Sequence, residues 1–220
     1  MHLLAKVSSV QIGEVLTYPV PAPGMGEWHS AIAKHPVEGP VWVDIPGLTG
    51  DAQADDKHHG GAGQAVNVYP SEHYSFWRQT PGLESITGGG FGENLTTQGL
   101  LETNACIGDV FRIGQAEVWI TQPRVPCYKL DRRWALDDLR ERATSLGLVG
   151  WYFAVRQPGY IQAGDEIVLL ERPNPDWTIA RVWNNYLDSN SREAMRSLTE
   201  AQGLSEKWRD MLLKKIQALA

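Results

Sequence analysis

Short stretches of alternating apolar and polar residues, separated by glycine and proline turns, run from about residue 3 to residue 170. In the segment AEVWIT, Ala116, Val118 and Ile120 occupy every second position, which is the period of a half-buried strand. Two further segments start after a Gly-Asp turn, at Gly108 and Gly164. Many short strands predict a mainly β fold, and we expect a closed or nearly closed barrel because closure removes exposed strand edges.

Helical periodicity interrupts this pattern twice within the same region. We predict helices near 71–79, in SEHYSFWRQ, and near 135–147, in ALDDLRERATSLG. Tyr74 and Trp77 are three positions apart in the first segment, which is the spacing of neighbours on a helix face. Gly147 is a stop signal for the second segment. The residues expected to share the apolar face of the second helix are Leu136, Leu139, Ala143 and Leu146.

The character of the sequence changes after ERPNPDW, where three helical segments follow at about 177–187, 191–202 and 205–219. We therefore predict two domains, a β-barrel over residues 1–172 and a small three-helix domain over 173–220, joined by a proline-rich linker. The last 50 residues hold 8 Lys+Arg and 7 Asp+Glu, so this part is almost neutral and a helix-turn-helix contact with DNA is not supported.

The composition indicates a soluble globular protein. The chain has 220 residues, 42% of them apolar, which is enough for a sizeable hydrophobic core. Its net charge of -6 argues against a general nucleic-acid binder. The first residues, MHLLAKVSSVQIGEV, lack the apolar run of a signal peptide, and no stretch approaches the roughly 20 apolar residues of a membrane span. We therefore predict a cytoplasmic protein with no nucleic-acid or membrane partner.

The two cysteines, Cys106 and Cys127, have neither the spacing of a zinc finger nor the number needed for a four-cysteine iron-sulfur cluster. Cys127 lies in QPRVPCYKL, where two prolines restrict the preceding backbone. Arg124 and Lys129 add positive charge, which favours a thiolate and suits a nucleophile or a ligand to a soft metal. The alternative is that Cys127 is only a small buried apolar residue.

The segment GDAQADDKHHGG, residues 50–61, concentrates titratable side chains before a glycine pair. Adjacent histidines rarely bind one metal ion, and no HxxxH or CxxC partner is present, so the spacing argues against zinc. Because histidine titrates near neutral pH, His58 or His59 is a candidate to hydrogen-bond a heterocycle or to deliver a proton. A solvated acidic loop is the alternative interpretation.

A second candidate loop is SITGGGFGENL, residues 85–95, whose glycines would let a ligand approach closely and offer backbone N–H groups to a phosphate. The glycines fit neither GxGxxG nor a P-loop, so a nucleotide-binding fold is not supported. A glycine turn of hairpin type is the alternative. We expect Glu93 and Asn94 on the rim of this loop.

Taken together, QPRVPC, GGGFGENLTT, ETNACIGD and GLTGDAQADDKHHGGAGQAVNVYPSEHY resemble the MOSC family, and specifically its YiiM-like branch. The resemblance extends over nearly the whole chain. It implies a β-barrel MOSC domain followed by a three-helix domain, and a molybdenum cofactor (molybdopterin), a pterin dithiolene with a phosphate. It also implies that the cysteine thiolate on the metal is Cys127.

The resemblance further implies a function, the reduction of N-hydroxylated compounds such as 6-hydroxylaminopurine to amines, which detoxifies base analogues. The residues that it implies as cofactor contacts are Lys34, Gly89, Glu93, Asn94 and Arg124, with Lys34 and Arg124 assigned to the phosphate or oxo groups. The residues that it implies as catalytic are Cys127, His59 and Asp55, with His59 and Asp55 as second-sphere or proton-delivery groups. Cys106 is expected to be structural.

A molybdenum centre must be recharged with two electrons in each turnover, and the sequence has no dinucleotide fingerprint. We therefore expect a separate reductase as electron donor, docking near the barrel mouth or on the tail. There, Trp177, Trp183 and Trp208 are either aromatic anchors or parts of a closed core. Two other functions stay open at Cys127, a sulfur (persulfide) or cofactor carrier and a thiol hydrolase. The oligomeric state is also open, a homodimer being one alternative.

Overall fold

The structure, a computed structural model, describes residues 5–19, 27–55, 60–188 and 192–219. Its strands are β1 Ala5–Ile12, β2 Leu16–Tyr18, β3 Trp28–Ser30, β4 His35–Pro36, β5 Val41–Asp44, β6 Gly47–Leu48, β7 Val66–Pro70, β8 Leu95–Gln98, β9 Val110–Ile113, β10 Ala116–Pro123, β11 Trp151–Gln157, β12 Gly159–Ile161 and β13 Glu166–Glu171. Its α-helices are α1 His73–Trp77, α2 Tyr128–Trp134, α3 Leu139–Leu146, α4 Ile179–Leu187, α5 Arg192–Leu198 and α6 Glu206–Ala218, and a 3-10 turn spans Ala62–Gln64.

Seven strands close into a barrel in the order β1, β13, β9, β10, β11, β7, β8 and back to β1. Closure occurs where β1 pairs with β13, with Ala5 opposite Ile167. The pairings around the ring are antiparallel except that of β7 with β8, which is parallel. Strand β4 adds to the far end of β1, and β12, β5 and β6 form a small separate sheet. The prediction of a mainly β, closed barrel is confirmed.

Strand β10 shows how the sequence pattern produces this barrel. Ala116, Val118 and Ile120 are buried, and the residues between them are only partly exposed, as the period of two predicts. From Ile120 to Pro123 every residue is buried. This second half is covered because the C-terminal helices pack over it, with the Ser205 N–H donating to the Thr121 carbonyl at 3.1 Å. The strand therefore leads from an ordinary barrel surface into the interior.

Both predicted Gly-Asp turns are confirmed. Gly108 (φ +78°) precedes β9 and Gly164 (φ +93°) precedes β13, in the left-handed region that favours glycine. At Gly108 the space is restricted as well, since an added Cβ would lie 2.3 Å from the backbone oxygen of Gln202. This turn therefore also provides the close contact between the barrel and the C-terminal helices.

The two helices predicted within the barrel region are present but shorter. Helix α1 is confined to His73–Trp77, and α3 begins at Leu139 instead of near residue 135. Leu139 and Ala143 are buried as expected, whereas Leu146 is 51% exposed, so its place on the buried face is wrong. Helix α2, directly after Cys127, is not predicted by the sequence analysis. All three helices pack with the aromatic side chain of Phe91 in a second hydrophobic cluster.

The three predicted C-terminal helices are confirmed as α4, α5 and α6, and they share one core with the barrel. Trp183, Trp208 and Leu212 belong to the same hydrophobic cluster as Phe111 and Phe153 of the barrel strands. Trp183 and Trp208 are each 1% exposed, so the suggestion that they anchor a docking partner is wrong. The closed-core interpretation holds for both, but this core is continuous with that of the barrel.

Backbone hydrogen bonds also join the C-terminal part of the chain to the barrel. The N–H of Ile107 donates to the Trp177 carbonyl at 2.9 Å, and the N–H of Ile179 donates to the Ala105 carbonyl at 2.8 Å. The last barrel strand ends at Glu171, close to the predicted boundary. The division into two folding domains stays a prediction. Among the described residues, no helix has the length and apolar content needed to cross a membrane.

We expect Trp183→Ala to destabilise barrel and tail together, by about 3–5 kcal/mol, because a large cavity would open in a shared core. Chemical denaturation followed by near-ultraviolet circular dichroism should show one transition at a lower denaturant concentration. Leu213→Ala, at a position that is 42% exposed on α6, is the control and should change stability by less than about 0.5 kcal/mol. Separate loss of the tail with an unshifted barrel transition would show that the two parts fold independently.

Candidate functional site

A pocket opens where β10 leaves the barrel. Its empty volume is about 590 Å³, including the solvent at its mouth, and its lining comes from segments 30–34, 51–55, 64–67, 91–94 and 124–129 and from Tyr152. Its lining combines apolar side chains with a few polar and charged ones, which is the composition of many small-molecule and cofactor sites. The predicted site residues that meet there are Lys34, Asp55, Asn94, Arg124 and Cys127.

The local backbone presents Cys127 to this pocket. Strand β10 ends at Pro123, Pro126 is buried, and α2 begins at Tyr128, so Cys127 is the residue that precedes the helix. Its backbone is extended (φ -115°, ψ 164°), and its carbonyl oxygen accepts a hydrogen bond from the Leu130 N–H at 3.0 Å. Because the half-buried side chain makes no capping hydrogen bond, the thiol is available to a ligand in the pocket.

Arg124 is a buried cation whose donors are not all satisfied. The residue is 4% exposed, and Nη1 is buried without a hydrogen-bond partner among the described residues. Its backbone N–H donates to the Gly150 carbonyl at 3.1 Å, which fixes it beside the start of β11. Burying an uncompensated charge costs free energy, so a site of this kind favours an anionic ligand. This guanidinium is the strongest indication of what the pocket binds.

Two lysines also line the pocket, but they differ in what they contact. Lys129 is 8% exposed, and its side chain has no hydrogen bond or ion pair within the part of the chain that the structure describes. The buried side chain of Lys34 instead forms an ion pair with Asp51. Burial lowers the pKa of Lys34, and the Asp51 carboxylate opposes that shift. The charge of Lys34 is thus already compensated, whereas Lys129 is left for a ligand.

Asp51 and Asn94 form a small polar network behind Lys34. Asp51 Oδ1 accepts from the Gly13 N–H at 2.8 Å, and Asp51 Oδ2 accepts from Asn94 Nδ2 at 2.8 Å. Asn94 Nδ2 also donates to the Gln11 carbonyl at 3.3 Å. Asn94 therefore lines the pocket with its amide held by protein groups, and its contact with a cofactor stays a prediction.

The glycine loop binds an anion of its own chain. Glu93 is fully buried, and its carboxylate accepts hydrogen bonds from the N–H groups of Gly89 at 2.7 Å and Phe91 at 3.1 Å. Thr96 Oγ1, at 2.8 Å, and the hydroxyl of Tyr74 also donate to it. The expectation that Glu93 lies on the loop rim is therefore wrong. Two of the backbone N–H groups that were expected to face a phosphate turn inward to this carboxylate.

Gly89 has a structural reason to be glycine. Its φ is +82°, and an added Cβ would lie 3.1 Å from the carbonyl oxygen of Lys34. Arg133 Nη1 donates to the carbonyl of Gly89 at 2.6 Å and to that of Ile32, which ties α2 to this loop. Neither Gly89 nor Glu93 is among the described residues that line the pocket, so their contact with a cofactor stays a prediction. Both shape the loop that carries Asn94.

The acidic loop is described only in part. Asp55 lines the pocket, as expected. His58 and His59 lie outside the described residues, so their role in proton delivery stays a prediction. Across the described ranges, no group of three or more His, Cys, Asp or Glu side chains is arranged to hold a metal ion.

Polar lining residues that the sequence did not predict include Gln64, Asn67 and Tyr152. Asn67 Nδ2 donates to the Gly92 carbonyl at 3.2 Å, and its buried Oδ1 has no partner in the described part of the chain. Burial raises the pKa of Tyr152, and the nearby Arg124 opposes that shift. Asn67 had a usable signal, as a polar residue in the apolar strand VNVYP. Gln64 and Tyr152 reach the pocket only through tertiary packing.

Cys106 lies away from the pocket. It is 1% exposed, its Sγ lies 3.6 Å from the Pro175 carbonyl oxygen, and its backbone pairs with Thr178 at the base of α4. Burial raises the pKa of its thiol to about 11. At neutral pH this thiol therefore stays protonated, which agrees with a structural role.

Comparison with known proteins gives a consistent result. The MOSC domain model matches residues 55–168 of the chain. Protein YiiM of Escherichia coli is 37% identical over 212 residues, which cover 94% of this chain and 90% of that protein. A protein named Reductase from Gibberella moniliformis is 34% identical over 196 residues, 81% of this chain and 35% of that one. The crystal structure of YiiM from Geobacillus stearothermophilus has a TM-score of 0.81 and 32% identity, covering 96% of this chain and 99% of that one.

The two thiols should differ in reactivity with iodoacetamide at about pH 7.5, because only a thiolate is alkylated rapidly. Cys127 lines an open pocket, whereas Cys106 is buried with a raised pKa. We expect Cys127 to be labelled at least about tenfold faster in the folded, cofactor-free protein, as measured by peptide mass spectrometry. In denaturant the two rates should become similar. Faster labelling of Cys106 in the native protein would contradict the assigned environments.

Proposed function

Because the chain belongs to the MOSC domain family and is similar to its YiiM-like members over almost its whole length, we propose that it is a molybdenum-dependent reductase of N-hydroxylated compounds. The observation that carries the proposal is the buried Arg124 guanidinium, with Nη1 unpartnered among the described residues, in the same pocket as the Cys127 thiol. A cation and a soft metal ligand in one cavity suit an anionic metal cofactor.

The residues present fit the molybdenum cofactor that this family suggests. Cys127 would hold the metal, and Arg124 and Lys129 would bind the phosphate, since both are buried cations in the lining. Lys34 would contribute less than expected, because Asp51 already compensates its charge. When bound, the cofactor would supply the two electrons that break an N–O bond.

The chain's own residues would bind the substrate and handle its protons. Converting an N-hydroxyl compound to an amine and water consumes two electrons and two protons. Tyr152 is protonated at neutral pH, and burial raises its pKa further above the ordinary value, so its hydroxyl can donate a hydrogen bond to the substrate oxygen. Asp55 lies on the same lining and is proposed to relay protons from the acidic loop, together with His59 four residues later.

The electron donor would be a separate reductase, since the chain has no dinucleotide fingerprint. The burial of Trp183 and Trp208 removes them as docking anchors. The surface around the pocket mouth and the half-buried Trp177 of the tail are left as the proposed contact areas. We place this activity in the cytoplasm, where a detoxifying reductase would meet base analogues. The relative named Reductase supports the reaction type but not a particular substrate.

The test is to produce the protein in a host that makes the cofactor, to measure molybdenum and pterin, and to assay 6-hydroxylaminopurine reduction. We expect up to one molybdenum per protomer, turnover with a reduced viologen dye, and none with NADPH alone. Cys127→Ala should abolish turnover because it removes the metal ligand, with its circular dichroism spectrum unchanged. Cys106→Ala is the matched control and should retain turnover, at a cost of at most about 3 kcal/mol of stability.

Three results would overturn the proposal. Folded protein from a competent host that repeatedly lacks molybdenum would exclude the cofactor. Steady turnover with NADPH and no second protein would exclude the need for a separate reductase. A Cys127 persulfide on a protein that reduces no N-hydroxylated compound would favour the sulfur-carrier alternative instead.

A further inference from the structure

The first turn of helix α6 is fixed to the strand that leads into the pocket. Ser205 precedes α6 and caps it, since its Oγ accepts from the Trp208 N–H at 3.1 Å. The same hydroxyl donates to Gln122 Oε1 at 2.6 Å, and the Ser205 N–H donates to the Thr121 carbonyl at 3.1 Å. Gln122 is two residues before Arg124 in the chain, so the position of α6 is set relative to the pocket.

Lys207, in this first turn, reaches a residue of the pocket lining. Its Nζ donates to Gln64 Oε1 at 2.8 Å, and Gln64 is 7% exposed. The turn that carries Gln64 is also held from the other side, where Thr121 Oγ1 donates to the Gly63 carbonyl at 2.7 Å. A C-terminal helix therefore contacts, through one hydrogen bond, a side chain that faces the pocket.

The contact determines which way the Gln64 amide points. A lysine ammonium has only donors, so it must meet the oxygen of the amide and not its nitrogen. Gln64 Nε2 is then directed to the other side, where Gln64 and Arg124 both lie close enough to the Tyr152 hydroxyl to lower its pKa against the larger effect of burial. The wall formed by Gln64, Arg124 and Tyr152 thus presents hydrogen-bond donors.

We propose that Lys207 is a positioning residue that makes the C-terminal helices part of the site, by fixing Gln64 as a hydrogen-bond donor to the substrate. This inference rests on the proposed function for the identity of the substrate. A wall of donors selects a compound with acceptor atoms, such as the oxygen of an N-hydroxyl group or a ring nitrogen of a heterocycle. Without Lys207, the amide is free to turn and present its oxygen, which such a compound binds poorly.

The kinetic test compares Lys207→Met, Gln64→Met and the double variant in the dye-linked assay. The hydrogen bond from Gln64 is expected to be equally strong in the bound substrate and in the transition state. Its loss should therefore raise KM roughly fivefold to tenfold, with kcat within about twofold of wild type. The double variant should show less than the product of the two single effects, because both changes remove the Lys207–Gln64 hydrogen bond, while only Lys207→Met also removes the charge that acts on Asp55. Lys207→Arg should restore most of the loss, since it keeps the donors. Lys214→Met, at an exposed position on the same helix, is the control and should behave as wild type.

A second readout does not depend on activity. In cofactor-free, isotope-labelled protein, the Gln64 side-chain amide signals can be assigned by their loss in Gln64→Met. They should shift and exchange faster with solvent in Lys207→Met, and stay unchanged in Lys214→Met. If the wild-type protein reduces no N-hydroxylated compound, the proposed function is wrong. The Gln64 amide signals alone then decide whether Lys207 positions Gln64. Unchanged amide signals in Lys207→Met, or KM effects of the two single variants that multiply in the double variant, would overturn the inference.

Discussion

A buried positive charge without full compensation is the constraint around which this pocket is arranged. Arg124 is held in place by its backbone bond to Gly150 and is 4% exposed, with Nη1 unpartnered among the described residues. Removing an ion of this kind from water costs several kcal/mol unless a partner replaces the lost hydration. The protein keeps this energetically unfavourable buried charge just after β10, three residues before the half-buried thiol of Cys127. An anionic cofactor that pairs with Arg124, and whose metal is bound by the Cys127 sulfur, would offset the cost of burying this charge.

Three other buried charges near the pocket are compensated within the chain, unlike that of Arg124. Lys34 pairs with Asp51, Glu93 accepts from the glycine loop, and Arg133 donates to two carbonyls. These contacts also fix the geometry of three lining segments. Lys129 is the other lining cation whose side chain has no partner in the described ranges. The proposed anion site is therefore formed by Arg124 and Lys129, the two lining cations whose charges are not compensated within the described ranges.

The sequence predicted well what depends on local pattern. The alternation at Ala116 to Ile120, the Gly-Asp turns and the C-terminal helices follow from periodicity and from glycine geometry, and all are confirmed. Arg124 and Cys127, which both line the pocket, were predicted together because they lie in one proline-bounded segment. Helix α2 was missed since it follows this segment at once and is only seven residues long.

What the sequence could not provide was the direction in which polar side chains point. Glu93 stands next to glycines in a loop, a context that indicates exposure, yet it is buried because tertiary packing brings the Tyr74 hydroxyl to it. Gln64 and Lys207 are 143 residues apart and meet only because α6 packs across the barrel. The tail thus has two uses that no local pattern reveals, as part of the core and as a support for the pocket.

The most direct test of this account is a comparison of stability and cofactor retention in Arg124→Met. If Arg124 is kept for a ligand, the variant should lose at least about tenfold in cofactor affinity while the cofactor-free protein becomes as stable or more stable, by up to about 2 kcal/mol. Arg133→Met is the matched control and should destabilise the cofactor-free protein, because it leaves two carbonyls without their donor. A cofactor-free Arg124→Met protein that is strongly destabilised, with unchanged cofactor content in the loaded form, would show that Arg124 serves the fold and would contradict the account.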